Sequence, residues 1–213
     1  MKAAPSAVVC TLWLCLFLWS STTWAQASVP SSQPGSLLEK AVPELPRGFR
    51  ADARDPWGHK EGEQDIDQFA AYYKPDLITP EKLQEVGFLD AYSQFASAKT
   101  HKKSDYITIS LVRVTSGVQA VALTSKFQED LTIGLTPAPP GGTVRRITIS
   151  GIPGSEAYLS WFEGSAALDA VFVRGDVVAD IERTSPSKTV ADHFQTFARQ
   201  LYARLKVGTT SVT

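Results

Sequence analysis

Residues 144–183 read VRRITISGIPGSEAYLSWFEGSAALDAVFVRGDVVADIER, and the fold turns on how this stretch is divided. Segments rich in β-branched and aromatic residues lie at Val144–Ser150, Glu156–Phe162, Ala167–Val173 and Val177–Arg183. The links between them, Gly151–Gly154, Glu163–Ser165 and Arg174–Asp176, are short and glycine-centred. A parallel return needs a crossover of about a dozen residues, so links this short force antiparallel neighbours and the segment reads as a meander of strands.

Working outward, Ser185-Pro186 opens a helix in which Val190, Phe194, Phe197, Leu201 and Leu205 recur at helical spacing, with Lys188, Asp192, Gln195, Arg199 and Arg204 facing outward. On the other side, Phe88–Ala96 and Asp105–Val114 flank the basic link Lys99–Lys103 and read as a hairpin. Thr115-Ser116-Gly117 starts a helix to about Glu129, with Val118, Val121, Ala122 and Ser125 along its inward face, and the loop Pro137–Gly142 follows it. Thr79-Pro80-Glu81 is a helix start with a hydroxyl cap and a proline at the first helical position, and that helix stops at Gly87. Asp65–Tyr73 carries Ile66, Phe69, Ala70 and Tyr73 at helical spacing, Leu37–Val42 reads as a short helical turn, and Arg50–Gln64 reads as a charged loop. The expected architecture is α+β: an antiparallel sheet of five to six strands, helices packed on one face, and a long C-terminal amphipathic helix.

The N-terminus carries an address. Lys2 precedes the apolar run Val8–Trp19, and Ala25 and Ala27 supply the small side chains that a signal peptidase needs before its cut. A run of 12 apolar residues is short of the roughly 20 a spanning helix requires. We therefore expect a signal peptide over 1–27, a Ser/Pro-rich spacer over 28–36, one domain over 37–207 and a disordered tail over 208–213. Export places the chain in the periplasm, the cell envelope or the medium, with no transmembrane span after cleavage. Cys10 and Cys15 sit inside the apolar run behind bulky Val9 and Leu14, so neither suits lipid attachment and both leave with the signal. The mature domain is then cysteine-free and rests on an ordinary hydrophobic core. Asparagine is absent, which excludes an N-linked glycan, and the near-neutral charge of −1 argues against nucleic acid as a partner.

Candidate chemistry is sparse. No G-x-S-x-G elbow exists, and the nearest glycine–serine pairs, Gly154-Ser155 and Gly164-Ser165, fall in turns. His59, Glu61, Glu63, Asp65 and Asp67 form a local acidic cluster with one imidazole, matching neither a zinc-protease helix nor a calcium loop. Its bland reading is a solvated loop entering a helix N-terminus. His101 lies in a lysine-rich turn and His193 beside a polar helix face. Tyr158, Trp161 and Phe162 on one strand are candidate ligand-facing aromatics, although such residues more often meet a packed helix. Lys99, Lys102 and Lys103 could touch an anionic surface, and Arg174-Gly175-Asp176 spells an adhesive tripeptide at a turn that glycine would favour in any case. No cofactor is expected.

The element order, with Leu45-Pro46-Arg47-Gly48-Phe49, Val86-Gly87-Phe88, Val173-Arg174-Gly175-Asp176-Val177-Val178 and the helix ending Ala198–Leu205, resembles the small exported envelope domains and lipoproteins of actinobacteria and related bacteria, with a layout similar to the LpqN and PsbP-like α/β families. The resemblance spans about Leu37–Leu205 and rests on pattern; it implies an extracytoplasmic binding or accessory domain without a catalytic set, and carries no site residues over. The chain departs from those lipoproteins in lacking a suitable lipid-attachment cysteine. The sequence therefore points to a non-enzymatic exported binding or accessory protein whose partner is an envelope lipid, polymer or protein. The alternative is a secreted hydrolase with a carboxylate and histidine site near residues 59–67.

Overall fold

A computed structural model describes residues 37–55, 58–73, 75–99, 105–135, 141–162, 164–186 and 190–205. The expected signal peptide with Ala25 and Ala27, the spacer, the tail, and Lys102 and Lys103 lie outside the described residues. In chain order the elements are α1 (Leu37–Ala41), β1 (Phe49–Asp52), β2 (Gly62–Gln64), α2 (Ile66–Ala70), α3 (Pro80–Glu85), β3 (Phe88–Ala98), β4 (Tyr106–Val114), α4 (Gly117–Leu135), β5 (Thr143–Ile147), β6 (Glu156–Phe162), β7 (Ser165–Arg174), β8 (Val177–Ser185) and α5 (Val190–Arg204).

The strands form one 8-stranded sheet in the order β1-β3-β4-β8-β7-β6-β5, with β2 also paired to β3. Every pairing is antiparallel. The meander from β5 to β8 and the β3–β4 hairpin are as the sequence predicts, and β4 joins the two by pairing with β8 from Tyr106↔Thr184 to Arg113↔Val177. The sheet is larger than the expected five to six strands because the charged stretch 50–64 is not all loop. It holds β1 and β2, which lie end to end along β3. Strands of four and three residues are too short to show a period of two, so β3's unpaired backbone selects them rather than their own pattern. Between them the Glu61 carboxylate accepts a hydrogen bond from the Phe95 backbone N–H.

Helices cover both faces of the sheet, not one. On the first face, Leu38 and Ala41 of α1 and Phe194, Phe197, Leu201 and Leu205 of α5 pack against Ile109, Leu111, Leu168, Phe172 and Ile181. On the second, Phe69 of α2, Leu83 of α3 and Ala120, Leu123 and Phe127 of α4 pack against Ala91, Val112, Val171 and Val178. The cause is visible in β7, where Leu168, Ala170 and Phe172 point one way and Val171 the other. A strand apolar at both alternating positions needs cover on both sides.

Local signals at helix starts hold for α2 and α3, but Ser185, read as opening the terminal helix, is instead the last residue of β8, where its backbone pairs with Ala166 of β7. Asp65 closes a capping box with Gln68 at the start of α2, and the Thr79 hydroxyl accepts from the Lys82 N–H ahead of Pro80. The α5 stripe is buried as expected at Phe194, Phe197, Leu201 and Leu205. The α4 stripe is not: Val118 and Val121 are 81% and 60% exposed, and the buried face is Ala120, Leu123 and Phe127. Both stripes have helical spacing, but Leu123 and Phe127 remove more apolar area from water than Val118 and Val121, and burial follows area.

Candidate functional site

The second face of the sheet is apolar at one end only. Past Val112, Val171 and Val178 the register aligns Thr108 and Ser110 of β4 with Glu182 and Asp180 of β8, and Glu182 in turn with Asp169 of β7. Residues directly opposite in a sheet point to the same side with Cβ atoms about 4.5–5.5 Å apart. This antiparallel lattice therefore collects three carboxyls and two hydroxyls into one patch. α4 lies across the same face: its first turns seal the apolar end through Ala120, Leu123 and Phe127, and further along it brings Asp130 and Leu131 over the polar end. Asp55 and His59, ahead of β2, and Tyr72 and Tyr73, after α2, complete the wall of a cavity of about 400 Å³.

The wall contributed by the loop is fixed by its own bonds. The Asp55 carboxylate accepts from the His59 backbone N–H at 2.8 Å and lies 2.6 Å from His59 Nδ1. The imidazole stacks on the Tyr72 ring at 4.3 Å between centroids, and the Tyr72 hydroxyl donates to the Lys60 carbonyl. Burial, helped by the nearby Asp55 and Glu61 charges, pushes the Tyr72 phenol up to about 12. Tyr73 is wedged edge-on against Phe127 and donates through its hydroxyl to Asp180 Oδ2 at 3.1 Å.

The three strand carboxyls are unequal. Glu182 Oε1 accepts from the Tyr106 hydroxyl at 2.8 Å and the Thr184 hydroxyl at 2.9 Å. Asp180 accepts from Tyr73. Asp169 is 9% exposed, lines the cavity, and receives no hydrogen bond from any described residue. Burial holds the Asp169 carboxyl well above the usual carboxylate range, and the Glu182 and Asp180 charges push it further. Asp180 is pushed up to about 7, chiefly by burial, with the Tyr73 hydrogen bond opposing and the Glu182 and Asp130 charges adding. Burial also raises Glu182, against its two hydroxyl donors.

Among the described residues, those lining the cavity include five carboxyls, from Asp55, Asp130, Asp169, Asp180 and Glu182, and no lysine or arginine. Two guanidiniums adjoin lining residues in sequence: Arg183 points to the opposite face, where it pairs with Asp105 at 2.7 Å and stacks on Phe49, and Arg54, next to Asp55, donates to the Gly58 carbonyl at 2.6 Å. Among the described residues no group of three or more His, Cys, Asp or Glu side chains is arranged to hold a metal ion. The cavity can therefore bind a positive group through its ionised carboxyls, or donate a proton from a carboxyl held neutral near pH 7.

Of the residues that the sequence singles out near 59–67, the structure brings His59 into the cavity. Glu61 is half-buried at the sheet edge and is pushed up to about 7, mainly by burial, while Glu63, Asp65 and Asp67 are exposed. Tyr158 shares the face of Asp169 and donates to Glu156 at 2.7 Å, Trp161 falls on the opposite face by alternation, and Phe162 is exposed. Lys99 and His193 are exposed. Arg174 donates to the Tyr202 hydroxyl at 2.9 Å and stacks on its ring, which ties down the first residue of the adhesive tripeptide. Asp130, Asp169, Asp180 and Glu182 were missed. For the three on strands the signal was present, as acids inside the apolar segments ALDAVFV and VVADIE, where a buried charge is the informative exception; Asp130, beside Glu129 on a polar stretch of helix, carried none.

No helix among the described residues is long and apolar enough to cross a membrane. No protein-family model matches the sequence, and no curated protein matches it. Among solved structures, the chain is similar to the extracellular domain of PknH from Mycobacterium tuberculosis, at 10% identity and a TM-score of 0.47 over 74% of this chain and 84% of that one.

Proposed function

We propose that this chain is an exported, non-enzymatic binding or accessory domain, and that the carboxyl-lined cavity on the second face of its sheet is the ligand site. The observation that carries the reading is Asp169, nine-tenths buried at the cavity wall and without a hydrogen-bond donor among the described residues. Burying a carboxyl without a partner costs about 1–3 kcal/mol or more. Such a group belongs to function more readily than to folding. The size of the cavity suits a small molecule. The apolar run Val8–Trp19 with Ala25 and Ala27, read as a signal peptide, and the resemblance to LpqN- and PsbP-like envelope domains support an extracytoplasmic setting.

A thermal-shift screen of small polar molecules tests this reading, run on the wild type and on Leu131→Trp, which places an indole at the mouth of the cavity. At least one compound is expected to raise the wild-type midpoint and leave the variant unmoved. Equal shifts in both proteins, or no shift with any compound, would reject the cavity as the ligand site.

A second reading is supported by Asp180, which lines the cavity and, pushed up to about 7, keeps a protonated fraction at neutral pH as a general acid must. In that case the cavity hydrolyses a glycoside with Glu182, whose ionised form accepts from two hydroxyls, as partner carboxylate. Turnover of aryl glycosides that Asp180→Asn abolishes would replace the binding reading with this one. Absence of turnover across a panel of such glycosides removes it.

A further inference from the structure

We infer that the ligand of this cavity is a small organic cation presenting one or more ammonium groups, an inference that rests on the cavity being the ligand site. Carboxyls reach the cavity from four separate places: Asp55 ahead of β2, Asp130 on α4, Asp169 on β7, and Asp180 and Glu182 on β8. Convergence from so many elements is not a run of acids along one surface. It occurs around a half-open cavity, and Asp169 in its wall has no donor among the described residues.

Three features favour an ammonium compound over other ligands. First, among the described residues the lining holds no lysine or arginine, and the imidazole it includes, His59, is already engaged by Asp55. A neutral ligand is served equally well by hydroxyls and amides, which carry no repulsion; only a cation uses the accumulated charge. An anionic ligand is opposed by every carboxyl. Second, about 400 Å³ is far more than an inorganic ion fills, and the described residues offer no compact ligand set for a metal. Third, Tyr72, Tyr73 and Leu131 add aromatic and aliphatic wall, which suits the carbon skeleton of an amine, and the tyrosine rings can also face its charge.

Protons are coupled to binding. The titratable groups that face the site are Asp55, His59, Tyr72 and Tyr73 on the loop side, Asp130 on α4, Asp169 on β7, and Asp180 and Glu182 on β8. Tyr106 stands behind Glu182, and Glu61 is close enough to Tyr72 to act on it. In the empty cavity burial holds a proton on Asp169, leaves Asp180 shared between its two forms near pH 7, and raises Glu182 as well. An entering ammonium ion favours their ionised forms, so binding releases protons to solvent and strengthens as pH rises.

The test is isothermal titration of the purified protein with putrescine, spermidine and glucosamine, with 1,4-butanediol and glucose as neutral counterparts, and with calcium chloride. Titrations are run at pH 6 and pH 8, in phosphate and in Tris. At least one amine is expected to bind about tenfold or more tighter at pH 8 than at pH 6, with a heat that differs between the buffers because protons leave. The neutral counterparts are expected to bind at least about 30-fold more weakly, and Asp169→Asn and Asp180→Asn, which keep side-chain shape, to weaken the amine at least about tenfold. Failure of every amine to bind, equal binding of a neutral counterpart, or preferential binding of calcium would overturn the inference. Glucose binding that Asp169→Asn removes would overturn the cation and leave the cavity as the ligand site. Binding of any probe unchanged by both substitutions would overturn the two together.

Discussion

Asp180 shows how one residue ties stability to the site. Folded, its carboxyl sits at about 7; in an unfolded chain it sits at about 3.9. The folded state therefore holds the proton more tightly, and the stabilisation this brings is complete below the unfolded value and lost as pH rises through the folded one. Glu61, also pushed up to about 7, acts in the same direction. The empty protein is accordingly expected to be more stable at pH 5 than at pH 8, by on the order of 2 kcal/mol from Asp180. Urea denaturation at the two pH values measures the difference, and Asp180→Asn should reduce it by about that amount, leaving the share that Glu61 and Asp169 contribute. A difference that survives the substitution intact would show that Asp180 is ionised in the folded protein. The residue was visible in the sequence but its environment was not. With helices expected on one face only, Asp169, Asp180 and Glu182 alternate along β7 and β8 as a solvent-facing polar row should; the second helical layer makes the same pattern a buried site.

Among the elements, α4 starts where the sequence places it but runs past the expected end at Glu129 to Leu135, and it buries the other stripe. Its sequence offers two stripes at helical spacing, Val118–Val121–Ala122–Ser125 and Ala120–Leu123–Phe127, and only the second lies against the sheet. The orientation matters because it brings Asp130 and Leu131 over the carboxyl patch. Phe127→Ala is expected to destabilise the fold by about 3–5 kcal/mol, since Phe127 is fully buried against Phe69 and Tyr73. Val121→Ala, on the exposed face, should stay within about 0.5 kcal/mol. Chemical denaturation of the two variants measures both, and comparable losses would mean that α4 rolls on its axis. α5 gave no such difficulty, because its Phe and Leu residues form one stripe and its long polar residues the other.

For the whole molecule, the meander, the hairpin and the terminal helix were legible because short links and helical periods are local properties of the chain. The two-sided cover and the cavity were not. Both depend on β4 pairing with β8, which sets Ser110 beside Asp180 and Thr108 beside Glu182 across some 70 residues of sequence. No local period encodes that register. The resulting molecule keeps one face of its sheet mainly apolar under α5 and α1, and leaves the other partly polar under α4, where five carboxyls of the described residues line a cavity of about 400 Å³. Stability and function oppose each other at such a patch: acids gathered for a ligand repel one another while the ligand is absent. Asp169 is where the opposition is sharpest, and its replacement by asparagine separates a ligand-binding carboxyl from a structural one without knowledge of the ligand. The thermal midpoint of the empty Asp169→Asn protein at pH 8 should rise above wild type by about 2–4 °C, corresponding to about 1 kcal/mol. A midpoint lowered by a similar amount would show that Asp169 holds the fold together, and that the cavity was not built around it for a ligand.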